Sequence, residues 1–489
     1  SGGFISYDGF LLAYAPHTGG QSQPFDETSE PVGVKYLTAQ EVTSIDDTYG
    51  TGVSLTFPAT EKAGMYDFWI RNQYGWSKSI TMNAPRALFL CQEGAYEGLK
   101  IEVVGRNFLG SEYGAEGDDY QNLKVKLDRI SDLNGVKDGI DESVTVSALK
   151  GERYSAEESF VGMAVEETNP YKITFIMPHT AHYGKYKVSV STDGEDFREV
   201  EEAGQYLFVY EKKAQAWNEK IFGKIGSGNH VGNDPLDLGV AWAQDLNYTN
   251  VRVFYPNAEP GEGITENNGN NDAMKAVQAH SDKFNALVAE LSKEGGGVVY
   301  LPAGKYYLIG NNWNPLKLLN NVIVVGEGQG KTIIYFTNGM SNYSWFICAN
   351  SQHDIGFARL TFTTYKHNVY LPDRYLEFVE RDSSNQSLPS SKYFGYNQFV
   401  KDVDFKIPDD KAGRSMITFQ LKKNLVVENV KVIGTASGLT ATPRQYGSIK
   451  NCYLDIWGYT RTTDGKRSGS AAPALQGSYS VLENNYLKM

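Results

Sequence analysis

The chain is short of cysteine, of positive charge and of long apolar runs, and each shortage removes a class of protein. Three cysteines in 489 residues, Cys91, Cys348 and Cys452, cannot build a disulfide framework, and their odd number leaves at least one thiol free. No run of about 18 apolar residues occurs, so nothing in the sequence reads as a membrane-crossing helix. Lys and Arg number 46 against 58 Asp and Glu, a formal net charge of −12. Such a surface repels nucleic acid and anionic membrane faces, so neutral or locally selected ligands are expected as partners. The opening "SGGFISYDGF" has neither a starting Met nor a signal peptide, and "VLENNYLKM" ends in a strand-like pattern without a turn. Both ends read as cuts in a longer protein, with further domains, and part of any active site, expected outside this stretch.

What remains is plentiful: 41% hydrophobic and 13% aromatic residues, enough for several cores. One pattern occurs twice. "VSLTFPATEKAGMY" alternates Val53, Leu55 and Phe57, then gives Pro58 and, six residues on, Gly64-x-Tyr66; "ITFIMPHTAHYGKY" repeats this with Ile173, Phe175, Met177, Pro178 and Gly184-x-Tyr186. Alternation, a Pro-started turn and a second strand predict a half-buried hairpin in each copy, and hence two β-sandwich domains, 1–85 and 86–211. With "GLKIEVVGRNF" (98–108), the second resembles the immunoglobulin-like IPT/TIG domains, which space or orient a neighbour more often than they do chemistry. Residues 212–250, rich in Gly, Asn and Pro, read as a connector in which Trp217, Ile221 and Phe222 pack down.

A different architecture is expected over 251–489. In "HSDKFNALVAELSKE", Phe284, Leu287, Val288 and Leu291 share one helical face behind Ser281-Asp282 as N-cap, predicting a helix over 282–292. Gly295 to Gly297 stop it, "VVYL" runs as a strand, Pro302 and Gly304 turn it, and "KYYLIG" continues. This order resembles the entry to the pectate-lyase-like right-handed β-helix, in its rhamnogalacturonase and polygalacturonase-related branch. The resemblance implies a parallel solenoid whose open end the helix plugs, and an all-β chain overall.

Rungs should then repeat. The frame apolar-x-polar-apolar-x-apolar recurs in "FARLTF", "VKDVDF", "VENVKV", "IKNCYL" and "LENNYL", with Asn485 as its one apolar miss. The third slots, Arg359, Asp402, Asn429, Asn451 and Asn484, lie 43, 27, 22 and 33 residues apart, a solenoid spacing with one long insertion over 366–395. The recurring Asn429, Asn451 and Asn484 are expected to stack as an amide ladder at the rung turns.

Several motifs are decoys. "VGEGQGKTIIYF" ends a glycine run in Gly330-Lys331-Thr332, but Val325 stands where a phosphate loop needs Gly and a strand follows where it needs a helix; it reads as a turn between rungs. His179 and His182 lack a third metal ligand, and "DLNGVKDGIDE" departs from a calcium loop at Val136 and Lys137. No metal or cofactor is expected.

Chemistry is sought instead on the outward slots, two and four past each third slot: Thr361/Thr363, Asp404/Lys406, Lys431/Ile433, Tyr453/Asp455 and Tyr486/Lys488. Asp404 and Asp455 are candidate acid and base on one sheet face, on the order of 10 Å apart, near the carboxylate spacing of inverting glycosidases. Tyr453 and Tyr486 are candidates for stacking on sugar rings, and Lys406 and Lys431 for holding an anionic sugar. "TTDG" (462–465) resembles the Asn-Thr-Asp-Gly element of polygalacturonases, which implies a catalytic role for Asp464; Thr462 in place of Asn, and "KRSG" after it, depart from that element. The expected function is a secreted or surface-attached bacterial enzyme on a polysaccharide or oligosaccharide. A glycoside hydrolase with two carboxylates comes first; a non-catalytic carbohydrate-binding or adhesive protein and a polysaccharide lyase are the alternatives.

Overall fold

The computed structural model describes residues 11–17, 33–37, 42–45, 53–55, 64–72, 74–109, 119–150, 152–153, 165–166, 168–212, 240, 242, 250–260, 272–309, 316–337, 345–348, 352–365, 374–378, 389, 394–406, 415–434, 439–456 and 474–488. They group into two compact units. One is built within Ser1–Leu90, Lys100–Glu152 and Glu166–Leu207, the other within Cys91–Leu99, Arg153–Val165 and Phe208–Met489.

The first unit is antiparallel throughout. Leu11–Pro16 pairs with Tyr66–Asn72, and Val42–Ile45 pairs with Val53–Leu55. Lys172–Ile176 pairs with Lys100–Arg106, while Gly184–Ser191 pairs with Asp119–Ser131. The two expected hairpins are therefore not hairpins: in each copy the strands before and after the proline enter different sheets. The burial the alternation predicts is present, since Ile173, Phe175, Met177 and Tyr186 are all buried. A six-residue link is long enough to cross between layers, and period-two alternation is blind to which strand lies alongside. Tyr186 ties the second crossing, its one hydroxyl proton shared between the His182 carbonyl at 2.6 Å and Glu142 Oε2 at 2.8 Å.

The second unit is a parallel solenoid behind a helix. The helix runs Asp272–Lys293, longer than expected at its start, and Ser281 is mid-helix rather than its cap. Met274 and Val277 extend the buried stripe upstream, while the Ser281 hydroxyl donates to Val277 O at 3.0 Å and accepts from Ile309 N at 2.8 Å. Phe284, Val288 and Leu291 join the solenoid core through Val299, Leu301 and Tyr306, so the stripe covers the first rung. The glycine stop has a local cause. Gly295 and Gly296 take φ of 91° and 105°, Gly296 N closes the helix on Leu291 O at 2.8 Å, and a Cβ on Gly297 would lie 2.2 Å from Asn250 O.

Each rung passes through three parallel sheets. The first holds Trp345–Cys348, Arg374–Phe378 and the start of Ser415–Gly434. The second runs through Val251–Val253, Gly297–Leu301, Val322–Gly326 and the first half of His353–Thr364. The third runs through Gly304–Leu308, Thr332–Phe336, the second half of His353–Thr364, and later Tyr453–Ile456 and Tyr486–Lys488. Arg374–Phe378 lies inside the long insertion, so part of that segment is a rung strand; residues 366–373 lie outside the described residues.

Two columns of left-handed residues make the corners. Arg359, Asp402, Asn429, Asn451 and Asn484, the third slots of the repeat, all have φ between 49° and 59°. Asn484 donates its amide to Asn451 at 2.8 Å, one step of the expected ladder, while Asn429 donates to Asp402 at 2.7 Å. Five residues upstream a second column, Asp354, Asn397, Asn424, Tyr446 and Tyr479, turns the chain from first sheet to second with the same sign of φ. Asn485, the miss in the frame, sits at the end of the inward column and is satisfied by Cys452 N at 2.9 Å and Ile449 O at 2.8 Å.

Candidate functional site

The three outer faces of the solenoid differ in what they leave available. On the second sheet, Val298, Tyr300, Ile323 and Phe399 are covered by Val240 and Trp242, and further along Lys401 pairs with Glu428 at 3.1 Å and Lys450 with Glu483 at 3.5 Å. That face is closed. The described outward side chains of the first sheet are Thr418, Gln420 and Thr442, with the exposed Lys317 in the Thr418 column. The third sheet sets charged and phenolic side chains directly beside one another.

Its register is a column Thr361, Asp404, Lys431, Tyr453, Tyr486 and, beside it, a column Thr363, Lys406, Ile433, Asp455, Lys488. The Lys431 ammonium lies 5.4 Å from the centroid of the Tyr453 ring, and Tyr453 stacks on Tyr486 with centroids 5.2 Å apart and planes 2° from parallel. Lys431 and Tyr486 sit on opposite neighbouring strands, so both faces of Tyr453 are occupied within the protein. The edge and hydroxyl of the ring are what this arrangement leaves, where a stacking face was expected. The same hydroxyl lies 3.4 Å from Asp455 Oδ2, drawing a cation, a phenol and a carboxylate into one cluster. Tyr486 is 37% exposed.

Asp404 is the register neighbour of Lys431 on the preceding strand. It is 8% exposed, its Oδ1 accepts from Gln329 Nε2 at 2.8 Å, and its Oδ2 lies 3.7 Å from the Lys406 ammonium. Two strand spacings and an offset of two residues put the Asp404 and Asp455 backbones roughly 12 Å apart. The register has both carboxylates on one face, two rungs apart and in neighbouring columns, and Asp404 is covered. Asp464 lies outside the described residues. Gln329 was not anticipated; the signal for it was the alternate glycines at 326, 328 and 330, which let the turn lie flat on its neighbours.

A second concavity, of ≈ 490 Å³, lies between the capping helix and residues 257–260, walled by Ala273, Ala276 and Ala279. Its polar groups serve the fold. The His280 ring lies 4.4 Å from that of Phe254, with burial and the Lys283 charge lowering its pKa, and Glu259 accepts from the Tyr365 hydroxyl at 3.1 Å. Among the described residues no group of three or more His, Cys, Asp or Glu converges as a metal site.

No family model matches the chain. Alginate lyase 7 of Azotobacter vinelandii is 35% identical over 88 residues, 17% of this chain and 10% of that protein. Mannuronan C5-epimerase AlgE3 of the same organism is 38% identical over 74 residues, 14% of this chain and 4% of its own length. The chain thus matches a tenth or less of these relatives. Among solved structures, a glycosyl hydrolase from Parabacteroides merdae aligns over 42% of this chain and 88% of its own at a TM-score of 0.26 and 14% identity. The A-module of Azotobacter vinelandii mannuronan C-5 epimerase AlgE4 aligns over 42% and 64% at 0.28 and 13%. At such scores the β-helix assignment rests on the chain's own parallel pairing.

Proposed function

We propose that this protein is an extracellular polysaccharide-active enzyme, that its substrate carries carboxylates, and that the third sheet of the solenoid binds it. One observation carries the reading: on a chain of net charge −12, Lys431, Tyr453 and Asp455 gather on one outer face of the solenoid. The local likeness to proteins named for alginate and mannuronan, both uronate polymers, supports it from a separate direction. The antiparallel unit is read as Ig-like modules that space the solenoid from its surroundings.

For the chemistry, proton abstraction next to a carboxylate fits the cluster better than hydrolysis. Hydrolysis needs two carboxylates flanking one bond, and here Asp404 is covered and distant from Asp455. Elimination or epimerisation needs a cation to neutralise the uronate carboxylate, so that the neighbouring C–H becomes acidic, and a group to move the proton. Lys431 supplies the first and the Tyr453 phenol, held by Asp455, the second. In elimination the C–H electron pair forms the double bond, the glycosidic C–O bond breaks and the leaving oxygen takes a proton; in epimerisation the C–H proton is lost on one face and a solvent proton is delivered to the other.

The test uses the full-length protein on uronate and neutral polysaccharides, following unsaturated ends, reducing ends and uptake of solvent deuterium together. Tyr453→Phe should lower turnover by about 10²–10⁴-fold, the usual weight of general acid–base catalysis, with little change in binding. Lys431→Met, which keeps the stem on the ring, should weaken uronate binding and leave neutral sugars unaffected. Full turnover in Tyr453→Phe, or new reducing ends without unsaturation, would overturn the assignment.

A further inference from the structure

The turn Gly326–Lys331 belongs to one rung but acts on others. Its base is fixed: Glu327 bonds the Tyr300 hydroxyl, and Thr332 Oγ1 accepts from Glu327 N at 2.9 Å and donates to Leu301 O at 3.0 Å. From there Gly330 N donates to Thr361 Oγ1 at 2.8 Å, and the Gln329 amide reaches Asp404 Oδ1 at 2.8 Å and Asn429 O at 3.5 Å, two and three rungs onward. Glycine is needed for this path. A Cβ on Gly326 would lie 2.3 Å from Arg359 O, and Gly330 takes φ of 73°. The turn therefore lies along the corner as a flap over the third sheet. Beneath it Thr361 is 1% and Asp404 8% exposed, whereas Tyr486, at the other end of the column, is 37% exposed.

We propose that this flap is a chain stop: the bound polysaccharide ends against Gln329, with its terminal uronate at Lys431. The inference rests on the uronate-binding reading and adds the direction and limit of the track. Two physical terms make the stop. The flap fills the space a further sugar would need over Thr361 and Asp404. The Asp404 carboxylate also engages Lys406 at 3.7 Å, so a sugar carried past Lys431 meets a carboxylate already covered by the flap and paired. Gln329 is thus a specificity-determining residue, and Asp404 a positioning residue for it and for Lys406.

The test is binding, so it does not depend on which reaction follows. Short uronate oligomers, long enough to span Lys431 to Tyr486, are labelled with a bulky fluorophore at one terminus or the other and titrated into the full-length protein. A label on the terminus at the stop should weaken binding roughly tenfold or more, about the loss of one charge-assisted contact, while the opposite label is tolerated. Gln329→Gly should restore binding of the blocked oligomer. Asp404→Asn, which keeps an acceptor for Gln329 but releases Lys406, should tighten longer oligomers several-fold, and it serves as the second variant if Gln329→Gly fails to fold. Equal binding of the two labelled forms by the wild type overturns the stop alone. No binding of any uronate oligomer overturns the uronate reading and the stop with it.

Discussion

In the antiparallel unit turns are held by single side chains brought from far along the sequence, whereas in the solenoid each corner is held by its neighbours in the stack. Glu142 shows the first kind, accepting from Ala181 N at 2.7 Å, His182 N at 3.0 Å and the Tyr186 hydroxyl. Arg129 pairs through both terminal nitrogens with Asp138, holding that carboxyl well below the usual range, and also bonds the carbonyls of Tyr183 and Ile140. Gln205 clamps Leu90 N and O across 115 residues of sequence. None of these recurs. In the solenoid the polar groups at the corners are Asn and Asp stacked on the next Asn, and the core between them is almost wholly apolar. A one-off network fixes one geometry, while a ladder can be lengthened by any number of rungs; this is why the two regions should fail differently.

The largest effect should come from opening the stack at its capped end. Leu291 is fully buried between the helix and the first rungs. Leu291→Asp would bury an unpaired carboxylate and should cost more than about 4 kcal/mol, the range reserved for such burial. In urea, the solenoid transition should move to low denaturant and aggregation should follow, with the antiparallel transition unmoved. A single wild-type-like transition would show that the helix does not hold the rungs.

Next in size is a pH effect confined to the antiparallel unit. Burial raises the Glu142 pKa, but the donated N–H and O–H bonds outweigh it, and the net shift is downward. A carboxyl depressed in the folded state stabilises it above the unfolded pKa, and the contribution is lost as pH falls through the folded value. Glu142→Gln should therefore cost about 2 kcal/mol at neutral pH, on the scale of charge-assisted hydrogen bonds, and the difference should vanish toward strong acid. A mutant gap that does not shrink on acidification would remove the ionised carboxylate from the account. The solenoid transition should show no such dependence on residue 142.

A smaller effect separates the two functions of a corner residue. At Asn429, φ of 51° is costly for most side chains, and the amide also bonds Asp402. Asn429→Gly should lose only the bond, whereas Asn429→Ala should cost about 1–2 kcal/mol more, the penalty for a Cβ in the left-handed region. Equal losses in denaturant titrations would mean that the ladder, not the backbone, sets the preference.

The same contrast explains what could be read from the sequence. The column from Arg359 to Asn484 was legible because a polar residue recurs at a fixed place between apolar ones, and from it followed the strand register and the outward neighbours of Asp404 and Tyr453. The companion column was not, because Asp354, Asn397 and Asn424 give way to Tyr446 and Tyr479, so one backbone conformation is carried by two side-chain chemistries. The paired strands of the antiparallel unit were misassigned for a related reason: alternation reports that Ile173 and Phe175 are buried, not whether Lys100–Arg106 or Gly184–Ser191 lies alongside. The candidate site was legible as a list of residues and illegible as chemistry. Whether Tyr453 offers a face or an edge, and whether Asp404 meets solvent, depends on Lys431 and Gln329, and no periodicity announces them.

The smallest perturbation tests the register directly. Cys452 occupies an inward slot between Val430 and Asn485, is fully buried, and burial pushes its thiol up to about 12; Cys91 is buried in the described residues too, while the Cys348 side chain lies outside them. Since the thiolate is the reactive form, Cys452 should react with a thiol reagent only when the last rungs open. Its labelling should speed up in parallel with the solenoid transition, and Leu291→Asp should bring it forward, whereas Glu142→Gln should not. Prompt labelling in native protein would place Cys452 on an outer face, shift the strand by one residue, and dissolve the cluster of Lys431, Tyr453 and Asp455 at the same time.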